Sequence, residues 1–269
     1  MLRNGVRPSR GGADAASASH SDGLRIELIA EPGRLTPERD DALNAVVADL
    51  AAVACGGPEA CDDPAVREGW RNYCIQPGGR TRDHDRVVLV WDGDRLVGFN
   101  GLMVERMEPD VTLLWYRAAG TDPAYQGRGG FSEAFDTMLD PDWVTSFGPP
   151  TYWVYRTPNP VIYESVRRLW SKYPEWSQRL FPKITADGHP QPIEPEAREI
   201  GIRIATALWP DCEFDPETFV LKDFLGHYGR DIWRVPVATS SDAGVNRFFE
   251  RYLRPDNQDA LLAFYLFDE

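Results

Sequence analysis

The chain has 269 residues, among them 29 basic and 42 acidic, and a formal net charge of -13. That length suffices for one large domain with a sizeable core, and the acidic balance argues against nucleic acid or an anionic membrane as partner and suits a cationic one better. No run approaches the roughly eighteen apolar residues of a membrane helix, and no apolar segment follows the basic start Met1-Leu2-Arg3, so neither a membrane span nor a secretory signal is expected and the chain reads as cytoplasmic. In chain order, residues 1–23 come first, rich in Gly, Ala, Ser and Arg without apolar periodicity, and are expected to be a disordered leader. Residues 24–30 alternate apolar with polar side chains as a half-buried strand does, and Glu31-Pro32-Gly33 stops them. Thr36, with Pro37 at the first helical position, then opens a helix through Leu43, Val47, Leu50 and Val53, and residues 64–73 predict a shorter second one.

A hairpin follows, in which Asp92-Gly93-Asp94 joins the apolar runs 86–91 and 95–104 by a tight turn. Gly98 and Gly101 weaken the second strand and predict a bulge or the close passage of another group. Before the hairpin, Asp83-His84-Asp85 offers three metal-ligating side chains, but neighbours on an extended chain point to opposite faces, so a solvated loop is expected. Cys55, Cys61, Cys74 and Cys212 show no CxxC pair or zinc spacing, and read as buried or idle thiols with no metal.

Residues 111–116, Val-Thr-Leu-Leu-Trp-Tyr, form the next strand, and residues 131–139 place apolar side chains at helical intervals. Between them stands Thr121-Asp122-Pro123-Ala124-Tyr125-Gln126-Gly127-Arg128-Gly129-Gly130. Three glycines in four residues let the backbone approach a ligand, and the unpaired amides at a helix start point at negative charge, so the loop reads as a phosphate cradle. It lacks the Lys-Ser or Lys-Thr pair of a Walker loop and does not match the three-glycine dinucleotide fingerprint.

The loop resembles the coenzyme A loop of the GNAT acyltransferase superfamily, whose pattern is Arg or Gln, two residues, Gly, one residue, then Gly or Ala. Gln126 and Gly129 take the first two places, and Phe131 stands at the third, with Gly130 one position early. The order of elements, strand, two helices, three antiparallel strands and phosphate loop, is also similar to that family's. The resemblance implies an α/β (α+β) fold with a mixed, mostly antiparallel twisted sheet, a splayed central strand pair and flanking helices. It further implies acetyl-CoA or another acyl-CoA as co-substrate, bound by Ala119, Gly120, Thr121, Gln126, Gly127, Arg128, Gly129 and Gly130.

Residues 151–156 read as the strand that splays, ending at Thr157-Pro158-Asn159-Pro160, where the prolines break the ladder and open a cleft mouth. A helix follows from Val161. Asn159 and Tyr163 resemble the Asn and Tyr that the family carries near the thioester, which makes Tyr163 the expected acid for the departing thiolate. Glu105, at the end of its strand, is the first candidate for the base that deprotonates the acceptor, and Asp122 the second. The expected GNAT-like core thus spans 24–172.

Residues 173–269 exceed a minimal domain of this kind and are expected to complete the same sheet, because residues 260–267 form a nearly continuous apolar run suited to a strand covered on both faces. Before it, residues 211–217 alternate acids that suggest an acidic lip or a solvated loop, and Ser240-Ser241-Asp242 caps a last helix. The expected function is acyl-CoA-dependent N-acyl transfer, foremost acetyl transfer, to a small amine, by direct attack on the thioester and without a covalent enzyme intermediate. Two alternatives stand beside it: a coenzyme A- or small-molecule-binding module without turnover, and a transferase for a bulkier acyl group whose pocket is lined by tryptophans among Trp143, Trp153, Trp170, Trp176, Trp209 and Trp233. The expected partner is a small amine acceptor of cationic character, in a monomer or a homodimer.

Overall fold

Stretches rich in valine, leucine and aromatic residues supply most of the core because both faces of their sheet are covered. The computed structural model describes residues 18–21, 23–56, 62–75, 79–107, 110–173, 179–224, 239–254 and 259–267, and within them one ten-stranded sheet. Its first five strands pair antiparallel in chain order: β1 (Ala18–Ser21), β2 (Leu24–Ile29), β3 (Arg86–Asp92), β4 (Arg95–Met107) and β5 (Val111–Thr121). β6 (Thr151–Thr157) lies parallel to β5. Three short strands, β7 (Arg179–Phe181), β8 (Glu213–Asp215) and β9 (Val220–Lys222), precede β10 (Ala260–Phe267). β10 runs antiparallel along the whole of β6, and its other edge carries β9 near its start and β7 near its end.

This is the mixed, mostly antiparallel α/β architecture expected from the sequence, with the apolar run 260–267 inside the sheet. The disordered leader needs correction. Ala18–Ser21 pair with β2, from Ala18 opposite Glu27 to Ser21 opposite Leu24, by a ladder that backbone groups can form whatever the side chains are. Residues 1–17 and 22 lie outside the described residues, as do Cys61, Trp176 and Trp233.

Among the described residues seven helices cover the sheet: α1 (Pro37–Gly56), α2 (Pro64–Ile75), α3 (Gly130–Met138), α4 (Pro141–Thr145), α5 (Pro160–Trp170), α6 (Pro195–Leu208) and α7 (Ala243–Tyr252). The two-residue alternation of strands sorts them onto two faces. Val87, Leu89 and Phe99 pack with Leu43 and Val47 of α1 and Trp70 of α2, whereas Val88 and Val90 join Ala134 and Phe135 of α3. On β5, Tyr116 meets Phe135 at 6.2 Å, and Trp115 turns to the opposite face to meet Trp209, past α6, at 5.7 Å. No described helix is long and apolar enough to cross a membrane.

The solvated loop expected around His84 does not form. His84 is 2% exposed, its Nδ1 bonds the Arg80 carbonyl at 2.9 Å, and its ring stands edge-on to Phe99. It fills the side-chain space of Gly101, where a Cβ would fall 2.5 Å from an imidazole carbon. The close passage expected at Gly101 is therefore real, but the visitor is this chain's own histidine. Gly98 has the same reason for being glycine, since a Cβ there would stand 3.0 Å from Val90.

Candidate functional site: a fork between two parallel strands

β5 and β6 pair from Thr112 opposite Thr151 to Tyr116 opposite Tyr155 and then part. The ladder between β4 and β5 shifts register at the same level: Leu102 faces Tyr116, Gly101 faces Ala118, and Arg117 is the extra, bulged residue. A bulge increases local twist, which turns residues 117–121 away from β6 and opens a fork. Asp122 donates its backbone N–H to Val97 of β4 at 2.9 Å. Because such bonds alternate along an antiparallel ladder, Gly120 also faces β4, while Ala119 and Thr121 turn their backbone groups into the fork. Gly120 meets α1 instead, where an added Cβ would lie 3.3 Å from that of Ala54.

The glycine loop stands at the open end of β5. Asp122, only 4% exposed, accepts the Ala124 N–H at 2.9 Å and pairs with Arg95, so it braces the turn at Pro123–Tyr125. These two contacts correct its place as second candidate base. Tyr125 ties the turn to the β3–β4 hairpin through a 2.6 Å bond from its hydroxyl to Asp92. Gly127 and Gly129 adopt φ of 79° and 83°, a left-handed conformation that favours glycine, and a Cβ at either would meet nothing within 4 Å. Gly129 is the N-cap of α3 and brings no capping side chain, and the Glu133 N–H donates to the Gly129 carbonyl at 3.0 Å to open the helical ladder. The amides of Gly130, Phe131 and Ser132 thus precede the first helical donor, Glu133, and form a terminus suited to an anion. Arg128 lies 4.8 Å above the Tyr125 ring, next to that terminus, and makes no ion pair among the described residues. Gln126 is exposed on the same loop.

Gly130 and Phe131 are both held by packing. A Cβ at Gly130 would fall 3.2 Å from Leu24 and 3.3 Å from Val90, so this glycine lets α3 approach the sheet. Phe131 is half-buried against the core, 6.5 Å from Phe135, and so contributes packing.

Across the fork, the Arg156 guanidinium of β6 donates to the Arg117 carbonyl at 2.8 Å and lies 4.7 Å over Phe224 and 5.9 Å from Trp209. The Arg117 guanidinium lies 5.2 Å over Trp115 and donates to the Met103 sulfur at 3.4 Å. An arginine and aromatic lining of this side of the fork is not legible in the sequence, because Trp209 and Phe224 come from the C-terminal third. Three of the four acids of the expected lip are engaged elsewhere: Glu213 pairs with Lys222, Glu217 with Arg198 at 2.9 Å, and Asp215 accepts the Thr218 hydroxyl at 2.7 Å.

The expected catalytic residues do not converge. Asn159 caps α5, its Oδ1 accepting the Val161 N–H at 2.9 Å. Tyr163 is fully buried and its hydroxyl donates to the Pro182 carbonyl at 2.7 Å, while burial pushes the phenol's pKa up. Its proton is committed to a backbone acceptor, which corrects the expectation that it serves the thiolate. Tyr163→Phe is accordingly expected to lower stability by about 1–3 kcal/mol, the penalty for a buried carbonyl left unpaired, with turnover unchanged. Denaturant unfolding beside steady-state kinetics tests this, and a hundredfold fall in turnover at intact stability would restore the acid role.

Glu105 pairs with Leu113, four residues before the bulge, so about 13 Å of strand separates it from the fork. Burial above all, then Asp85, raises its pKa, and Arg117 partly offsets the rise. His84, by contrast, stands on Gly101, opposite the bulge. Burial and the Arg117 charge push it down to about 4, so at neutral pH it is an uncharged imidazole. The sequence signal for its place against β4 was an unexplained glycine in that strand. Among the described residues no group of His, Cys, Asp and Glu could hold a metal ion.

No protein-family model and no curated protein matches the sequence. Solved structures that it resembles include a protein of Pyrococcus horikoshii OT3, at 19% identity over 55% of this chain and 87% of that one with a TM-score of 0.38. Arabidopsis thaliana Naa50 in complex with the bisubstrate analogue CoA-Ac-MVNAL is similar at 18% identity over 40% of this chain and 66% of that one, TM-score 0.27. A GCN5-related N-acetyltransferase from Kribbella flavida is similar at 19% identity, TM-score 0.35, over 55% of this chain, which spans only 34% of that protein. The functional reading therefore rests on the chain's own fork and loop.

Proposed function

We propose that the chain is an acyl-CoA-dependent N-acyltransferase with acetyl-CoA as its donor. The observation that carries the reading is the parting of the parallel pair β5 and β6 at a bulge, with an uncapped, glycine-led helix terminus at the open end. The pyrophosphate then takes the amides of 130–132 with Arg128 beside them, and the pantetheine bonds the backbone groups that Ala119 and Thr121 turn into the fork. The acceptor amine attacks the thioester carbonyl carbon, a C–N bond forms as the C–S bond breaks, and the thiolate leaves and takes up a proton. Positioning supplies most of the rate.

Glu105 is the proposed base. Its raised pKa makes it the better proton acceptor, and its place down the strand calls for a water relay. A small amine of cationic character suits the net charge of -13. Calorimetry with coenzyme A and acetyl-CoA, followed by thiol release over an amine panel, tests the reading, and absence of coenzyme binding would end it. In that assay Glu105→Gln is expected to lower turnover about 100-fold; unchanged turnover would remove Glu105 from the mechanism. Binding without thiol release would favour the non-catalytic module, a reading that the engaged Tyr163 hydroxyl supports.

A further inference from the structure

The bulge at Arg117 opens the fork, and its place in the sheet is set from the side of β4. There β4 pairs with β3 in unbroken register, Leu102 opposite Arg86 and Gly101 opposite Val87, so the extra residue of the ladder falls in β5. Residues just before β3 hold the same stretch of β4. Asp85 donates its backbone N–H to the Leu102 carbonyl at 2.9 Å and accepts the Val104 N–H on its carboxylate at 2.8 Å. Next to it His84 lies buried in the side-chain space of Gly101, with Arg117 near enough for its charge to act on the ring.

The segment that carries His84 is in turn fixed to α1. Buried Asp40 accepts from the Arg80 guanidinium at 2.8 Å and from the Arg82 N–H at 2.9 Å. Buried Asn44 accepts both the N–H and the hydroxyl of Thr81 at 2.8 Å each. The same helix bears on β5 at the open side of the fork, through Ala54 at Gly120. The His84 Nδ1 can bond the Arg80 carbonyl only as an N–H, which leaves Nε2 a bare lone pair, and Nε2 has no hydrogen-bond partner among the described residues. An unmet buried nitrogen is unfavourable, so apolar packing alone gives no reason for a histidine here. One side of the ring grips the segment fixed to α1, and the other presses on β4 at the level of the bulge.

We propose that His84 is a positioning residue for the pantetheine arm of the coenzyme: it carries the fixed position of α1 onto Gly101 and so holds the bulge that keeps residues 117–121 apart from β6. It touches no reacting atom, and the inference rests on the acyl-transfer reading of the fork.

Two probes separate the fork from the glycine loop: coenzyme A itself, and its phosphoadenosine diphosphate half, which has the pyrophosphate but no pantetheine arm. In calorimetry on the full chain, His84→Ala and the milder His84→Asn are expected to weaken coenzyme A at least about tenfold, because a fork no longer held open must be ordered on binding. The nucleotide half needs only the loop and the start of α3, so its affinity should stay within about twofold. His84→Gln nearly matches the ring in volume and keeps a donor for Arg80, and should hold coenzyme A within about threefold of the parent. A general loss of structure would weaken both probes alike. Circular dichroism shows which variants are folded, and His84→Asn decides if His84→Ala is not. Unchanged coenzyme A affinity in the folded variant, equal losses for the two probes, a Gln variant as weak as the Ala variant, or failure of both shortened variants to fold overturns the proposal and leaves the acyl-transfer reading standing. Failure of the parent chain to bind coenzyme A would end that reading and this inference together.

Discussion

Gly129→Asp is expected to weaken coenzyme A binding at least about 100-fold while the sheet stays folded. A carboxylate at the N-cap of α3 would stand where the pyrophosphate is proposed to lie, and like charges brought together cost several kcal/mol, with each 1.4 kcal/mol a factor of ten. An aspartate here also offers its own oxygen to the α3 amides and so competes for the donors that the phosphate would use. Two structural facts limit the damage to the fold. A Cβ at Gly129 meets nothing within 4 Å, and its φ of 83° is a conformation that aspartate tolerates better than most residues. Gly129→Ala separates charge from strain, since it shares the backbone penalty without the anion, and a loss below tenfold is expected. Calorimetry on the three proteins decides: equal losses in both variants would make the effect conformational, and an unaffected Asp variant would move the phosphates elsewhere.

The glycine loop was legible because its signals are local. A strand, three glycines and an amphipathic helix within about thirty residues define a helix terminus without reference to the rest of the chain, and Gly127 and Gly129 take the left-handed conformation that this demands. Asn159 before Pro160 was equally local, and in the structure it caps a helix. The errors came from distance. Nothing near Tyr163 reveals that its partner is the carbonyl of Pro182, nineteen residues on. Trp209 and Phe224 reach the fork from beyond the expected core, so no motif could have placed Arg156 between them. β1 failed for another reason: composition reports whether side chains can be buried, and this strand is held by backbone pairing to β2.

Gly101 and His84 join these two cases, because a local oddity in one strand is explained only by a residue seventeen positions earlier. Gly101→Ala is expected to destabilise the protein by roughly 2–4 kcal/mol, from overpacking of a buried ring and weakening of its bond to the Arg80 carbonyl. The methyl group would fall within 2.5 Å of an imidazole that Phe99 already borders. His84→Ala frees that space, so the double variant should be more stable than the sum of the singles by about 0.5–3 kcal/mol. pH gives the same contact a second readout. The imidazole is pushed down to about 4 in the fold from an ordinary 6.5, so between these values the unfolded chain binds the extra proton. Stability contributed by the neutral histidine is complete above pH 6.5 and is lost as pH falls towards 4. At about 1.4 kcal/mol per pH unit, the full loss is on the order of 3 kcal/mol. His84→Gln keeps a side-chain donor for Arg80 and cannot titrate, so its denaturant stability should lack this fall. Parallel stability curves for His84→Gln and the parent between pH 4 and 7 would show that His84 titrates in the fold as freely as it does in the unfolded chain.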